Sequence, residues 1–221
     1  MATRKTTSRD DVEIQDDLKH KHQPVNNGLK IKLDHLKTFE PLTDNQKLFF
    51  EMYKGGAYFI GLFGSPGVGK TFLALYKAIE EVLDKTNSFK QVVVVRSLVQ
   101  LREVGHLPGS LEEKQEIYEL PYKEACEVLF GGRPDAWDRL KEQGYARFIS
   151  TTAIRGISID DAIIIVDENQ NMNWSEINTI ITRVGHRSKI IFCGDFKQTD
   201  LIRSHKDQSA FHSFREVART M

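Results

Sequence analysis

The residues Gly64-Ser65-Pro66-Gly67-Val68-Gly69-Lys70-Thr71 fit the spacing G-x-x-x-x-G-K-[ST] at every fixed position. Each residue type there suits phosphate chemistry. Glycines let the backbone curl so that successive N–H groups face an anion, and a helix starting at the end of the loop adds its dipole. Lys70 is placed to reach the β- and γ-phosphates of a nucleoside triphosphate, and the Thr71 hydroxyl to coordinate Mg²⁺. With Phe72 opening the helix that follows, 64–72 is the expected nucleotide-binding segment. A Gly-rich turn without ligand is the bland alternative, and the apolar strand before it and periodic helix after it speak against that.

Downstream, the apolar run Ala162–Val166 delivers Asp167-Glu168. An acid at the carboxyl end of a strand in the same sheet is the expected second Mg²⁺ contact, so Asp167 is assigned to the metal, through water. Glu168 is the natural base or orienter for an attacking water. The alternative is a solvated strand end. The last apolar run finishes Cys193-Gly194-Asp195, and Gln198 follows three residues on. An amide there suits the γ-phosphate or the attacking water, against an ordinary loop. Upstream, Gln46 carries a paired donor and acceptor suited to an adenine edge, with an exposed Gln in a capped helix as the alternative.

These groups must be held by alternating strands and helices. Helices are predicted from Thr43 to Tyr53 and over Phe72–Leu83. Strands are predicted at Tyr58–Phe63, Val92–Val95, Arg147–Ser150, Ala162–Val166 and Ile190–Cys193. Apolar runs separated by helices imply a mostly parallel sheet with helices on both faces, an α/β domain. Residues 1–28 read as a flexible polar arm, 29–33 as a short edge strand, and 29–221 as one domain. Residues 98–145 read as an insertion at the carboxyl edge of the sheet.

Composition narrows the partners. Lys+Arg and Asp+Glu each total 31, so no net basic field points to nucleic acid, and any such contact must be a local patch. Two cysteines are too few for a disulfide framework, and the seven histidines show no metal-ligand pattern. No apolar run approaches membrane length, and no signal core is present, so the expectation is a cytoplasmic protein without a membrane partner.

Taken in order, these pieces resemble the PhoH family, P-loop ATPases related to the first motor domain of superfamily 1 helicases. Agreement runs from about Leu42 to Leu201. It includes Val95-Arg96, Gly105-His106-Leu107-Pro108-Gly109, Glu113-Lys114, Pro121-Tyr122 and Ile154-Arg155-Gly156. It also includes Asp167-Glu168-Asn169-Gln170-Asn171, Thr182-Arg183-Val184-Gly185 and Gly194-Asp195 with Gln198-Thr199-Asp200-Leu201. The short form is similar to versions encoded by tailed phages, implying a bacterial or phage-infected cytoplasm. The resemblance implies a single RecA-like P-loop NTPase domain, ATP and Mg²⁺ as ligands, and single-stranded RNA or DNA as partner. Ser97 stands where the family usually has Pro, and Asn169 where it has Ala.

For the nucleic acid, Arg96, Arg102, Thr151, Thr152 and Arg155 fall near carboxyl ends of strands, with ordinary surface arginines and caps as the alternative. One such domain lacks a second face to close on the nucleotide. Closed head-to-tail association gives rings, so a homo-oligomer such as a hexamer is expected. Arg183, Arg203 and Arg215 are the candidates for a catalytic arginine donated in trans, Arg183 first. Against this reading stand a nucleotide-binding switch or scaffold without motor activity, which Glu168 opposes, and a small-molecule P-loop kinase. The kinase is opposed by the Asp167-Glu168 pair and Gln198, which favour water as acceptor. No Asn-Lys-x-Asp guanine motif occurs.

Overall fold

Strands and helices alternate along the chain in a computed structural model that describes residues 30–98 and 111–195, without the side chains of 111–114. The expected arm at 1–28, together with Arg102, Gln198, Arg203 and Arg215, lies outside the described residues. Among the described residues five strands form one sheet: β1 (Phe59–Phe63), β2 (Gln91–Arg96), β3 (Ala146–Ser150), β4 (Ala162–Asp167) and β5 (Lys189–Gly194). Every pairing is parallel and the order is β1-β5-β4-β2-β3.

The β-branched runs are buried on both faces, as a parallel sheet requires. Val92, Val94, Ile163, Ile165 and Ile191 point to the layer containing α1 (Asp44–Lys54) and α2 (Lys70–Leu83). Their alternates Val93, Val95, Ile164, Val166 and Phe192 point to α5 (Trp174–Ile181), meeting Ile177 and Ile180. Each fully buried Val or Ile contributes about 1.5–3 kcal/mol relative to exposure. Local caps set the helix starts. The Thr43 hydroxyl accepts from the Gln46 N–H at 3.3 Å, and Asn173 and Glu176 close a reciprocal capping box on α5.

Two segments differ from the pattern reading. Of the strand predicted at 29–33, the described part is irregular and leads into a single 3-10 turn at Leu33–His35. Among the described residues its alternation has no partner strand to satisfy it. Ile31 alone is buried, with its N–H donating to Gln143 Oε1 at 3.1 Å. The stretch 98–145 contains α3 (Leu111–Leu129) and α4 (Ala136–Glu142), which belong to the crossover that a parallel β2–β3 pair needs. Tyr122, Cys126, Leu129, Trp137 and Leu140 sink into the same core layer as α2.

Register fixes what meets at the carboxyl edge. Phe63 lies beside Gly194 and Val166 beside Phe192, while Arg96 lies between Asp167 on one side and Ser150 on the other. The phosphate loop and Asp167 thus leave strands separated by β5 alone, about 10 Å apart at ordinary strand spacing.

Candidate functional site

Gly69 caps α2 in the left-handed region (φ 83°), a conformation that glycine adopts without steric cost, and the helix begins at Lys70. Its first N–H groups therefore open onto the loop. The Lys70 ammonium donates to the Gly64 and Ser65 carbonyls at 2.9 and 2.8 Å, which holds it over the mouth of the loop. One residue on, the Thr71 hydroxyl donates to Asp167 Oδ1 at 2.6 Å. This bond joins the start of α2 to the end of β4. A cavity of about 250 Å³ lies above it, lined by Pro66, Lys70, Thr71, Asp167, Glu168 and Gly194 among others.

Glu168 follows Asp167 in a left-handed conformation (φ 51°), which costs a non-glycine residue on the order of 1–3 kcal/mol and gathers at functional sites. It turns the chain sharply off the strand into a 3-10 turn, Asn169–Asn171. Gln170 Nε2 donates to Glu168 Oε2, and Gln170 Oε1 accepts from the Asp195 N–H at 3.0 Å. One amide thereby ties the carboxylate to the end of β5. Beneath them sits Cys193, whose thiol burial and the nearby Asp167 charge push well above its ordinary range. It stays neutral there.

Asp167 is buried, and its second oxygen accepts from the Tyr122 hydroxyl at 2.8 Å. Arg96 lies close by, its guanidinium 5.7 Å from the Tyr118 ring centre. Burial opposes the Arg96 charge, but Tyr122, Asp167 and Glu168 outweigh it and hold the group above its usual value. Sequence reasoning gave Tyr122 and Gln170 no role. Gln170 had a local signal in its place two residues after Glu168. Tyr122 stood only in the Pro121-Tyr122 piece of the family resemblance, without a role, since the fold alone brings α3 to β4.

The residues fit Mg²⁺. A hydroxyl and a carboxylate are hard oxygen donors, and Mg²⁺ beside phosphates takes one or two protein oxygens with substrate and water completing the shell. Among the described residues no cluster of three or more His, Cys, Asp or Glu side chains could hold a metal unaided. Beside the loop, a larger cavity of about 730 Å³ is lined by Leu42, Gln46, Leu62, Phe63, Val68 and Phe72. Gln46 spans it: Oε1 accepts from the Leu42 N–H at 2.7 Å and Nε2 donates to the Val68 carbonyl at 3.2 Å. Each end of the amide keeps one further hydrogen-bonding position.

Comparison with known proteins matches a family model described as PhoH-like protein over residues 38–221. The chain belongs to the PhoH-like family. That family is of P-loop ATPase type. A PhoH-like protein of Bacillus subtilis is 36% identical over 144 residues, covering 65% of this chain and 44% of the relative. One of Mycobacterium leprae is 33% identical over 174 residues, covering 78% and 48%. Protein PhoH2 of Bacillus subtilis is 39% identical over 144 residues, covering 64% and 32%. The chain spans less than half the length of these relatives.

Around this PhoH-like site, the other expected residues fall differently. Thr152 and Arg155 are exposed beside the end of β3, but Thr151 is buried and its hydroxyl donates to Glu176 Oε1 at 2.6 Å. Ser97 donates to the same oxygen at 3.0 Å, so one carboxylate fastens the ends of β2 and β3 to α5. Arg183 lies at the opposite edge of the sheet. Its carbonyl accepts from the Ile159 N–H at 2.9 Å, just ahead of the start of β4. β4 spans about 20 Å, so Arg183 cannot reach its own chain's Glu168. Its half-buried side chain has an Nε without a hydrogen-bond partner among the described residues. No helix among the described residues is long and apolar enough to cross a membrane.

Proposed function

We propose that this chain is a Mg²⁺-dependent ATPase, cytoplasmic, that acts on or is regulated by single-stranded nucleic acid and works as a homo-oligomer. The observation that carries the ATPase reading is the 2.6 Å bond between Thr71 and Asp167. It brings the phosphate-binding helix and the acidic strand end together, with Glu168 facing the same cavity.

The loop N–H groups and Lys70 bind and orient the β- and γ-phosphates. Thr71 and Asp167 would hold Mg²⁺, which when bound neutralises charge on the transferring phosphoryl group. Gln170 fixes the direction of the Glu168 carboxylate, so that it accepts a proton from, or aligns, the attacking water. Leu42, Val68 and Phe72 offer an apolar cleft for the base, and Gln46 has one spare donor and one spare acceptor for its edge. Exposed Arg155 and Thr152 suit a phosphate backbone running along the carboxyl edge. Arg183, remote from its own site, can serve only a neighbouring subunit, which favours an oligomer joined head to tail.

ATP turnover measured with and without single-stranded RNA and DNA tests the proposal. Glu168→Gln should retain nucleotide binding and lose turnover on the order of a hundredfold or more, the range that general bases contribute. Wild-type turnover in that variant, or none in the wild type under any condition, would overturn the reading.

A further inference from the structure

Tyr122 carries a buried hydroxyl that the ATPase reading leaves without a task. Its side chain is fully shielded from solvent on α3, and the ring is fixed between Trp137 of α4 (5.7 Å between centres) and Phe148 of β3 (6.0 Å). So wedged, the hydroxyl has one direction to point, and it donates to Asp167 Oδ2 while Thr71 donates to Oδ1. Two donors on opposite oxygens fix the rotation of the carboxylate. They leave its remaining lone pairs aimed as the sheet edge dictates. The same hydroxyl is also hydrogen-bonded to Arg96, which lies beside Asp167 in the sheet, while packing by itself does not require an oxygen here. Phenylalanine would fill the same space without a buried hydroxyl to satisfy.

We propose that Tyr122 is a positioning residue for the metal site: its hydroxyl clamps Asp167 in the orientation that, with Thr71, receives Mg²⁺. The inference rests on the ATPase reading and deepens it. Partners that orient a ligand without touching the metal typically contribute 10–100-fold in metal affinity. Because Tyr122 acts through Asp167, its effect must disappear when Asp167 no longer carries a carboxylate.

The test is Mn²⁺ binding to the full chain with ADP, titrated by electron paramagnetic resonance, alongside ADP affinity and melting temperature in EDTA. Tyr122→Phe should weaken Mn²⁺ at least tenfold, with ADP affinity in EDTA unchanged. In an Asp167→Asn background it should weaken Mn²⁺ no further. Equal Mn²⁺ affinity in Tyr122→Phe and wild type overturns the inference and leaves the ATPase reading standing. So does a matching loss of ADP affinity in EDTA, which marks a packing role. Wild type that binds no Mn²⁺ with ADP overturns both. A second measurement needs no variant: with tyrosine labelled at Cζ, one of the six tyrosine resonances should move when Mg²⁺ joins the ADP complex. No movement in any of them also overturns it.

Discussion

Gly194 ends β5 against the turn that carries Glu168, and a single methyl there tests whether that turn must stay where it is. A Cβ at 194 would lie 1.8 Å from Asn169 Oδ1 and 3.0 Å from Gln170 Oε1. Real contacts of this kind stop at roughly 3 Å, so the Asn169 side chain and the turn that carries it must retreat by about 1 Å, and the burial of Asn169 resists a movement of the side chain by itself. Gln170 moves with it and takes the Glu168 carboxylate along. A misplacement of about 1 Å costs on the order of a hundredfold in rate, and the overpacking itself about 1–3 kcal/mol of stability. Gly194→Ala should therefore turn over ATP about a hundredfold more slowly. Its ADP affinity without metal should stay near wild type, because the loop and Lys70 are untouched. Steady-state phosphate release and nucleotide titration read the two quantities separately. Asn169→Ala removes the obstructing atom, which makes no hydrogen bond among the described residues. The pair Asn169→Ala with Gly194→Ala should regain most of the lost rate. A single variant as active as wild type, or a pair no better than the single, refutes the reasoning.

At the other end of the sheet, Lys189 is buried with its ammonium 2.8 Å from Glu81 and 3.8 Å from the Tyr53 ring centre. Lys189→Ala should lose about 3 kcal/mol in urea denaturation, the low end for a broken buried pair because Glu81 is partly solvated, with Lys189→Met costing less. Arg155→Ala should weaken single-stranded RNA binding and flatten its salt dependence by about one unit of slope, read by fluorescence anisotropy at several ionic strengths. Mixing Arg183→Ala with Lys70→Ala subunits should restore part of the ATPase activity that each lacks alone, and no recovery at any ratio would rule out an arginine shared between subunits. Cys126 and Cys193 are buried with thiol pKa values pushed up by burial, so neither should react with a thiol reagent at pH 8 until the chain unfolds.

The parts of this site that follow from local spacing were legible in the sequence. Gly69-Lys70-Thr71 announces a helix start on a phosphate loop, and Ala162–Val166 announces a buried strand ending in acids, because both signals lie within a few residues. Strand limits differ by a residue or two, since Lys189 and Asp167 are polar ends that the apolar pattern alone omits. The alternation at 29–33 misled because period alone does not supply a partner strand. What stayed hidden is contact across the fold. Tyr122 reaches Asp167 over 45 positions of chain and Thr151 reaches Glu176 over 25, and nothing local marks either hydroxyl as spoken for. Arg183 was legible as a helix-end cation but not as one on the far edge of the sheet.

The strand order also has a consequence for synthesis. Among the described residues β1, which leads into the Gly64–Thr71 loop, is bonded to β5 alone. On a nascent chain, β2, β3 and β4 can assemble as soon as residue 167 leaves the ribosome, whereas the one neighbour of β1 among the described strands waits until residue 194 does. The proposed nucleotide pocket is thus among the last described features to close, held off by a separation of some 130 residues between paired strands. Until then β1 waits without its described partner and open to rival edges, so a ribosome stalled between β4 and β5 would expose a chain with most of its described sheet and none of the proposed ATP site.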